Sequence, residues 1–231
     1  MEEEYIQGPP RGLRALPRRI VAAGGDWRSP RAEAAFLQVV EGQPEGAVCL
    51  SVGGGPRRVH PRLTNLNIGP FPNVDVVATA YALPYADGTI ASVYCEAVLE
   101  HLEFPDLAVE EMFRVLRPGG VAFAATPFLQ SFHGYPGHFQ NFTLDGHRRL
   151  FERAGFRILD SGPCVGPTFA MVDLLVNYAR AFVPGLVASR LSGFLVALAG
   201  VLLRPLDSRL HRHPNAHQLA STTFVLARKP T

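Results

Sequence analysis

Between Pro127 and Thr143 the chain reads Pro-Phe-Leu-Gln-Ser-Phe-His-Gly-Tyr-Pro-Gly-His-Phe-Gln-Asn-Phe-Thr, which sets His133, Tyr135, His138 and Gln140 among aromatic residues. Histidine titrates near neutrality, so His133 or His138 can take a proton from a hydroxyl or amine as it attacks an electrophile. The plainer reading is that these side chains cap and pack the loop. A second chemical feature is the run Gly53-Gly54-Gly55. Glycines at a turn remove the side chains that would hold a ligand away from the backbone. Arg57, Arg58 and His60 follow at once and can meet an anionic group or face water. No metal is expected: His211, His213 and His217 are too loosely spaced around Pro214, and Cys49, Cys95 and Cys164 form no CxxC pair. An odd, sparse set of cysteines suits buried free thiols in a reducing compartment.

The elements that must position these residues can be read from hydrophobic spacing. Residues 47–52 are a nearly continuous apolar run ending in the glycines, which suits a strand buried on both faces of a parallel sheet. Similar runs recur at 62–68, 74–80, 90–95 and 121–125. A helix is expected at 31–40. Another is expected at 105–116, where Val109, Met112, Phe113 and Leu116 share a face and Pro118-Gly119-Gly120 stops it. Thr143 can cap a helix that turns Leu150, Phe151 and Ala154 inward, with Gly155 just past its end. Only Pro56 to Pro61 separate the glycine turn from the next strand, too few residues for a helix there. This alternation predicts a doubly wound α/β sheet. Residues 1–30 read as an irregular lead-in rich in Pro, Gly and Arg (Arg11, Arg14, Arg18, Arg19), and residues 31–231 as one domain.

A helical insertion is expected at about 168–206. Phe169, Val172, Leu175, Val176, Ala179, Phe182 and Val183 make one stripe, and a more uniformly apolar helix follows Pro184-Gly185. The chain should then turn through Pro205 and close on a strand at 220–227, with Arg228 and Lys229 returning it to water.

An ordered series runs through Asn65-Leu-Asn-Ile68, Ala82-Leu-Pro-Tyr85, Leu99-Glu-His101 and Arg114-Val-Leu-Arg-Pro-Gly-Gly120. Over about residues 47–157 it resembles the class I S-adenosylmethionine-dependent methyltransferase family. The resemblance implies a Rossmann-like, seven-stranded, mostly parallel sheet whose antiparallel last strand inserts between its neighbours. It also implies S-adenosylmethionine as cofactor, lying across the carboxyl ends of the first strands. Gly53, Gly54 and Gly55 would line its amino-acid end, with Ser51 just before them. Asn67 would sit at the ribose, Thr79 and Ala80 at the adenine, and Glu96 at the exit of the fourth strand. The His133 and His138 loop would form the substrate mouth, while His101 and Glu100 would be structural.

The chain departs from the family pattern where acids are usual: Ser51, Asn67, Thr79 and Ala91 stand in their places. A ribose diol is best held by a carboxylate, whereas Asn offers one carbonyl oxygen and no charge. Neutral hydrogen bonds from Ser51, Asn67 and Thr79 are expected to hold the cofactor instead. The sequence thus implies a methyltransferase acting on a small-molecule, sugar or lipid-linked acceptor. The competing readings are an inactive binding or scaffolding relative and, more remotely, a nicotinamide-dependent dehydrogenase, whose glycine fingerprint and ribose acid are absent. Arginine at Gly53 should abolish binding while the chain stays folded.

Composition narrows the classes further. A hydrophobic share of 47% with 18% charged residues fits a folded domain, and a net charge of +2 gives no field that would attract nucleic acid. The opening Met-Glu-Glu-Glu is unlike a signal segment, and the apolar run 191–203 is shorter than the roughly 20 residues of a spanning helix. A cytoplasmic protein is expected, with residues 169–203 available to a partner or the membrane surface. Nothing in the sequence points to an oligomeric state.

Overall fold

The structure is a computed structural model describing residues 28–134 and 137–231, with the side chains of Leu186, Ala188, Ser189, Val196, Ala197, Val201 and Arg204 left aside. Tyr135, the four N-terminal arginines and most of the lead-in fall outside the described residues.

Chain order is α1 (Pro30–Val40), β1 (Cys49–Val52), β2 (Leu63–Asn67), β3 (Val76–Val77), β4 (Ile90–Glu96), α2 (Pro105–Val115), β5 (Leu116–Pro127), α3 (Leu144–Arg153), β6 (Arg157–Val165), α4 (Pro167–Phe182), α5 (Leu186–Leu210) and β7 (Thr222–Arg228). The seven strands form one sheet in the order β3-β2-β1-β4-β5-β7-β6. Pairings from β3 across to β5 are parallel, and β7 runs antiparallel between β5 and β6. The expected topology is therefore present, and no helix intervenes between β1 and β4 among the described residues.

Side-chain alternation assigns the two faces. Cys49, Leu63, Tyr94, Phe123, Phe224 and Leu226 meet α1, which presents Ala32, Ala35, Phe36, Val39 and Val40. Phe36 stands edge-on to Tyr94 at 5.1 Å, and Tyr94 stacks on Phe123 at 5.7 Å. The opposite face carries Leu50, Val93, Ala124 and Val225 against Val109 and Met112 of α2 and Leu150 and Phe151 of α3. Ser29 caps α1 by accepting from the Ala32 amide and ties it to the sheet by donating to Pro163 O.

Several local expectations need correction. β3 spans only two residues, because the rest of 74–80 leaves the sheet edge. β6 has no strong apolar run: its outer half is only partly covered, and Asp160, Ser161, Gly162 and Pro163 lie inside it. Its pairing with β7 supplies the strand character that its composition lacks. Pro205 lies inside α5 instead of ending it, and of the expected α4 stripe Leu175 and Phe182 face outward. Lys229 does not return to water: its Nζ donates to Phe113 O and Leu116 O and lies over the Phe113 ring, capping the end of α2.

The α4–α5 hairpin is fixed at its base by Asp207. This buried carboxylate accepts from the Thr168 amide at 2.9 Å and the Phe169 amide at 3.2 Å, satisfying two orphan donors at the start of α4. Gly166 is required beside it, since a Cβ there would lie 2.5 Å from Asp207 Cγ.

His147 of α3 is fully buried between Thr126 and Thr223. Desolvation pushes its pKa down to about 3, so the folded protein holds it neutral. The unfolded chain binds this proton near pH 6.5, and stability should therefore fall as pH drops from about 6.5 toward 3. Each pH unit in that window costs up to about 1.4 kcal/mol from this group alone. Urea melts at pH 7 and pH 5 should show wild type losing more stability than His147→Gln; an equal loss would place the acid sensitivity elsewhere.

Candidate functional site: a glycine cleft beside a histidine cluster

The strand order reverses at β1, with β2 and β3 leaving it on one side and β4 on the other. Such switch points are where open α/β sheets leave room for a ligand. The bend after β1 depends on left-handed glycines, φ +74° at Gly53 and +59° at Gly55. The Gly53 amide donates to Leu66 O at 2.8 Å, and Asn65 Nδ2 holds Gly55 O at 3.0 Å and Asn73 O at 2.8 Å. Asn65 thus clamps the loop from β2.

Ser51 stands in register with Asn65 and is only 3% exposed. It lies beneath the glycine bend, with its Oγ next to Gly54. Ser51 Oγ and Asn65 Oδ1 are both buried without a hydrogen-bond partner. A Cβ on Gly54 would stand 2.7 Å from the first and 2.2 Å from the second, so only glycine closes over them.

The other residues expected at the cofactor lie at the strand ends. Asn67 is buried at the tip of β2, where its Oδ1 accepts from the Ile68 amide at 2.7 Å. Thr79 and Ala80 are half-buried, and Thr79 Oγ1 accepts from the Tyr81 amide. Glu96 ends β4 and accepts from Arg28 Nη2 at 3.0 and 3.1 Å and from the Tyr94 hydroxyl. Burial and the Glu96 charge drive the Tyr94 hydroxyl pKa upward, so it stays a proton donor. Arg28 also donates to Tyr94 and Glu33 and lies over Phe36. No local pattern marks this arginine's place, because a bridge to Val165 brings it to the sheet from 68 residues away along the chain from Glu96. Beyond β4, Ala97 has φ +53° and Val98 packs against Gly53.

Arg58 of the loop is engaged within the sheet edge. Arg58 donates to Leu63 O and Asp75, which raises its own pKa and lowers that of Asp75, while His60 accepts from the Arg62 amide. Two of the sequence blocks are joined directly: Arg114 donates to Leu83 O, Tyr85 O, Glu111 and Asp87, and Glu111 accepts from the Leu83 amide. The Leu-Pro-Tyr turn is thereby bolted to α2.

Of the loop after β5, residues 137–140 meet the one-turn helix Leu99–His101. Gln140 Nε2 donates to Leu99 O and Leu102 O, and the Phe139 amide donates to Glu100 O. His138 has both ring nitrogens engaged, Nδ1 by the His133 amide and Nε2 by Asn141 Oδ1. His133 keeps Nε2 toward Glu100, and that carboxylate holds its pKa above the usual histidine value. The two histidines singled out thus differ: His138 has both ring nitrogens bonded within the loop, whereas His133 turns Nε2 toward a buried carboxylate.

Comparison with known proteins agrees with this architecture. Residues 59–124 match the methyltransferase domain family model. The chain is 32% identical over 137 residues to an uncharacterized methyltransferase of Mycobacterium sp. (strain KMS), covering 52% of this chain and 54% of that one. It is 35% identical over 98 residues to a probable S-adenosylmethionine-dependent methyltransferase of Mycolicibacterium smegmatis, covering 39% and 38%. The chain therefore spans about half the length, or less, of these curated relatives. Among solved structures, the cyclase SpnF superposes with a TM-score of 0.54 at 19% identity, covering 95% of this chain and 93% of that one, a likeness of fold. By its sheet order the chain has the Rossmann-like fold of these methyltransferases, and over residues 59–124 it is similar to the methyltransferase domain family.

Proposed function

We propose that the protein transfers a methyl group from S-adenosylmethionine to an acceptor that is a small molecule, a sugar or a lipid-linked intermediate, and that the lipid-linked class fits best. The observation that carries the methyltransferase reading is the left-handed glycine bend at the switch point, closed over two buried oxygens that a Cβ would strike. The donors around it fit the cofactor. Gly53 and Gly54 expose backbone, Asn67 Nδ2 and the Thr79 hydroxyl offer neutral hydrogen bonds, and Glu96 supplies a carboxylate at the exit of β4. The cofactor itself supplies an electrophilic sulfonium methyl. The chain's task is to align a nucleophile with that methyl in a dry site, which can provide most of the catalysis. His133, at the mouth, can receive the acceptor's proton once the pH exceeds its raised pKa.

The lipid-linked acceptor is favoured by the α4–α5 hairpin. Val187, Leu191, Leu195, Leu198, Leu202, Leu206 and Leu210 recur at helical spacing along α5 and are all exposed. Met171, Leu175, Tyr178 and Phe182 do the same along α4. So large an apolar surface is unusual on a monomeric protein and suits the headgroup boundary of a bilayer. Among the described residues no helix is long and apolar enough to cross a membrane, so contact would be peripheral.

Calorimetry with S-adenosylhomocysteine tests the cofactor. Binding below millimolar is expected; neither heat nor a thermal shift would instead favour a non-catalytic relative. Asn67→Asp keeps the bond from the Ile68 amide and turns the free donor into a carboxylate oxygen that can accept from a ribose hydroxyl. It should tighten binding by about tenfold, the worth of one charge-assisted hydrogen bond. Weaker binding would remove residue 67 from the ribose.

A further inference from the structure

We propose that Glu100, His101 and His133 form a binding site for a divalent metal ion of the zinc class. Glu100 is 0% exposed, and neither of its carboxylate oxygens has a hydrogen-bond partner. A buried carboxylate needs compensating charge or donors. What faces Oε1 is a pair of imidazole nitrogens, His101 Nε2 at 3.7 Å and His133 Nε2 at 3.8 Å. Both separations are too long for hydrogen bonds. All three ligand atoms lie within 4.8 Å of one another. Two ligands bound tetrahedrally at about 2.1 Å from one ion stand about 3.4 Å apart, so small side-chain rotations would close the set on a cation.

The hydrogen bonds on the far side of each ring point the same way. His101 Nδ1 meets Gly137 O, and His133 Nδ1 meets Ser131 O at 3.0 Å. Carbonyl oxygens only accept, so each Nδ1 carries a hydrogen and each ring turns Nε2, the atom that offers a lone pair to a metal in the neutral tautomer, toward Glu100. Metal-ligating histidines are oriented by this kind of Nδ1–H bond. The alternative, two imidazolium rings with centroids 5.2 Å apart sharing one carboxylate, sets like charges side by side.

Two nitrogens and one oxygen suit zinc, cobalt or ferrous iron better than calcium or magnesium, which favour oxygen ligands. Three protein ligands leave a coordination position open. The His133 side chain is 38% exposed, so that position faces the loop mouth. With the ion bound, His133 is a ligand and no longer a proton acceptor. The site stands independently of the cofactor reading, since none of its residues holds the glycine cleft.

The test uses the full chain stripped with a chelator, titrated with Zn2+ by calorimetry and with Co2+ by visible absorption. One Zn2+ per chain is expected with a dissociation constant of about 1 µM or below, together with a higher melting temperature. Co2+ should develop the absorption of a low-coordinate nitrogen and oxygen site. His133→Ala, at a half-exposed position the fold tolerates, and the isosteric Glu100→Gln should each weaken Zn2+ binding at least about tenfold. No Zn2+ binding by the wild-type chain would overturn the proposal. So would binding unchanged in both variants, which would put the ion elsewhere. S-adenosylhomocysteine binding measured on the same samples separates this outcome from failure of the cofactor reading.

Discussion

Gly53→Ala is expected to weaken S-adenosylhomocysteine binding by at least about tenfold and to destabilise the protein by about 2 to 5 kcal/mol. Two costs combine. The residue sits at φ +74°, which costs an L-residue about 1 to 2 kcal/mol. Its Cβ would also lie 2.4 Å from Val98 Cγ2 and 2.9 Å from Val98 Cγ1, contacts that force one of the two segments to move. If the bend moves, it loses the Gly53 amide bond to Leu66 O and the surface offered to the ligand. The expectation that arginine at this position would block the site and leave the fold intact therefore needs correction, because any side chain meets Val98 first. The double variant Gly53→Ala/Val98→Ala removes the clash and keeps the backbone strain. It should regain part of the melting temperature and little of the binding. Wild-type affinity in Gly53→Ala would remove the glycine bend from the cofactor site.

Leu195→Glu combined with Leu202→Glu should lower partition of the protein onto phospholipid vesicles by about two orders of magnitude, with little change in melting temperature. Leu195 is 54% exposed and Leu202 is 72% exposed, so neither substitution empties the core. Each leucine that enters the acyl boundary removes apolar surface worth on the order of 1 kcal/mol, and a carboxylate in its place adds a desolvation cost. Flotation with neutral and anionic vesicles reads the effect directly. Absence of wild-type binding to either kind would withdraw the membrane reading of the hairpin and with it the preference for lipid-linked acceptors.

The order of the elements was legible because it rests on short-range patterns. Continuous apolar runs marked β1, β2, β4, the buried part of β5 and β7, and the spacing of Val109 and Met112 marked α2. The caps were equally plain, since Thr143 accepts from the Gly146 amide as its residue type foretells. β6 escaped because its outer residues face solvent and its ladder to β7 stands in for propensity. Pro205 misled because a long helix packed along its partner tolerates the loss of one backbone bond. The site was legible in part. Glycine at 53–55 announced a bend, but whether Ser51 would line the cleft or support it depended on which face of β1 it occupies.

By itself the sequence determined the class of fold, the glycine turn and the loss of the usual acids, all properties of residue type and spacing along one stretch of chain. The tertiary structure decided which polar groups meet. It brought Arg28 to Glu96, Asp207 to the start of α4, and His133 to Glu100 and His101. Each pairing joins residues more than 30 positions apart, and charges or lone pairs so placed are brought together only by burying the sheet between its helices, a step that no local periodicity encodes.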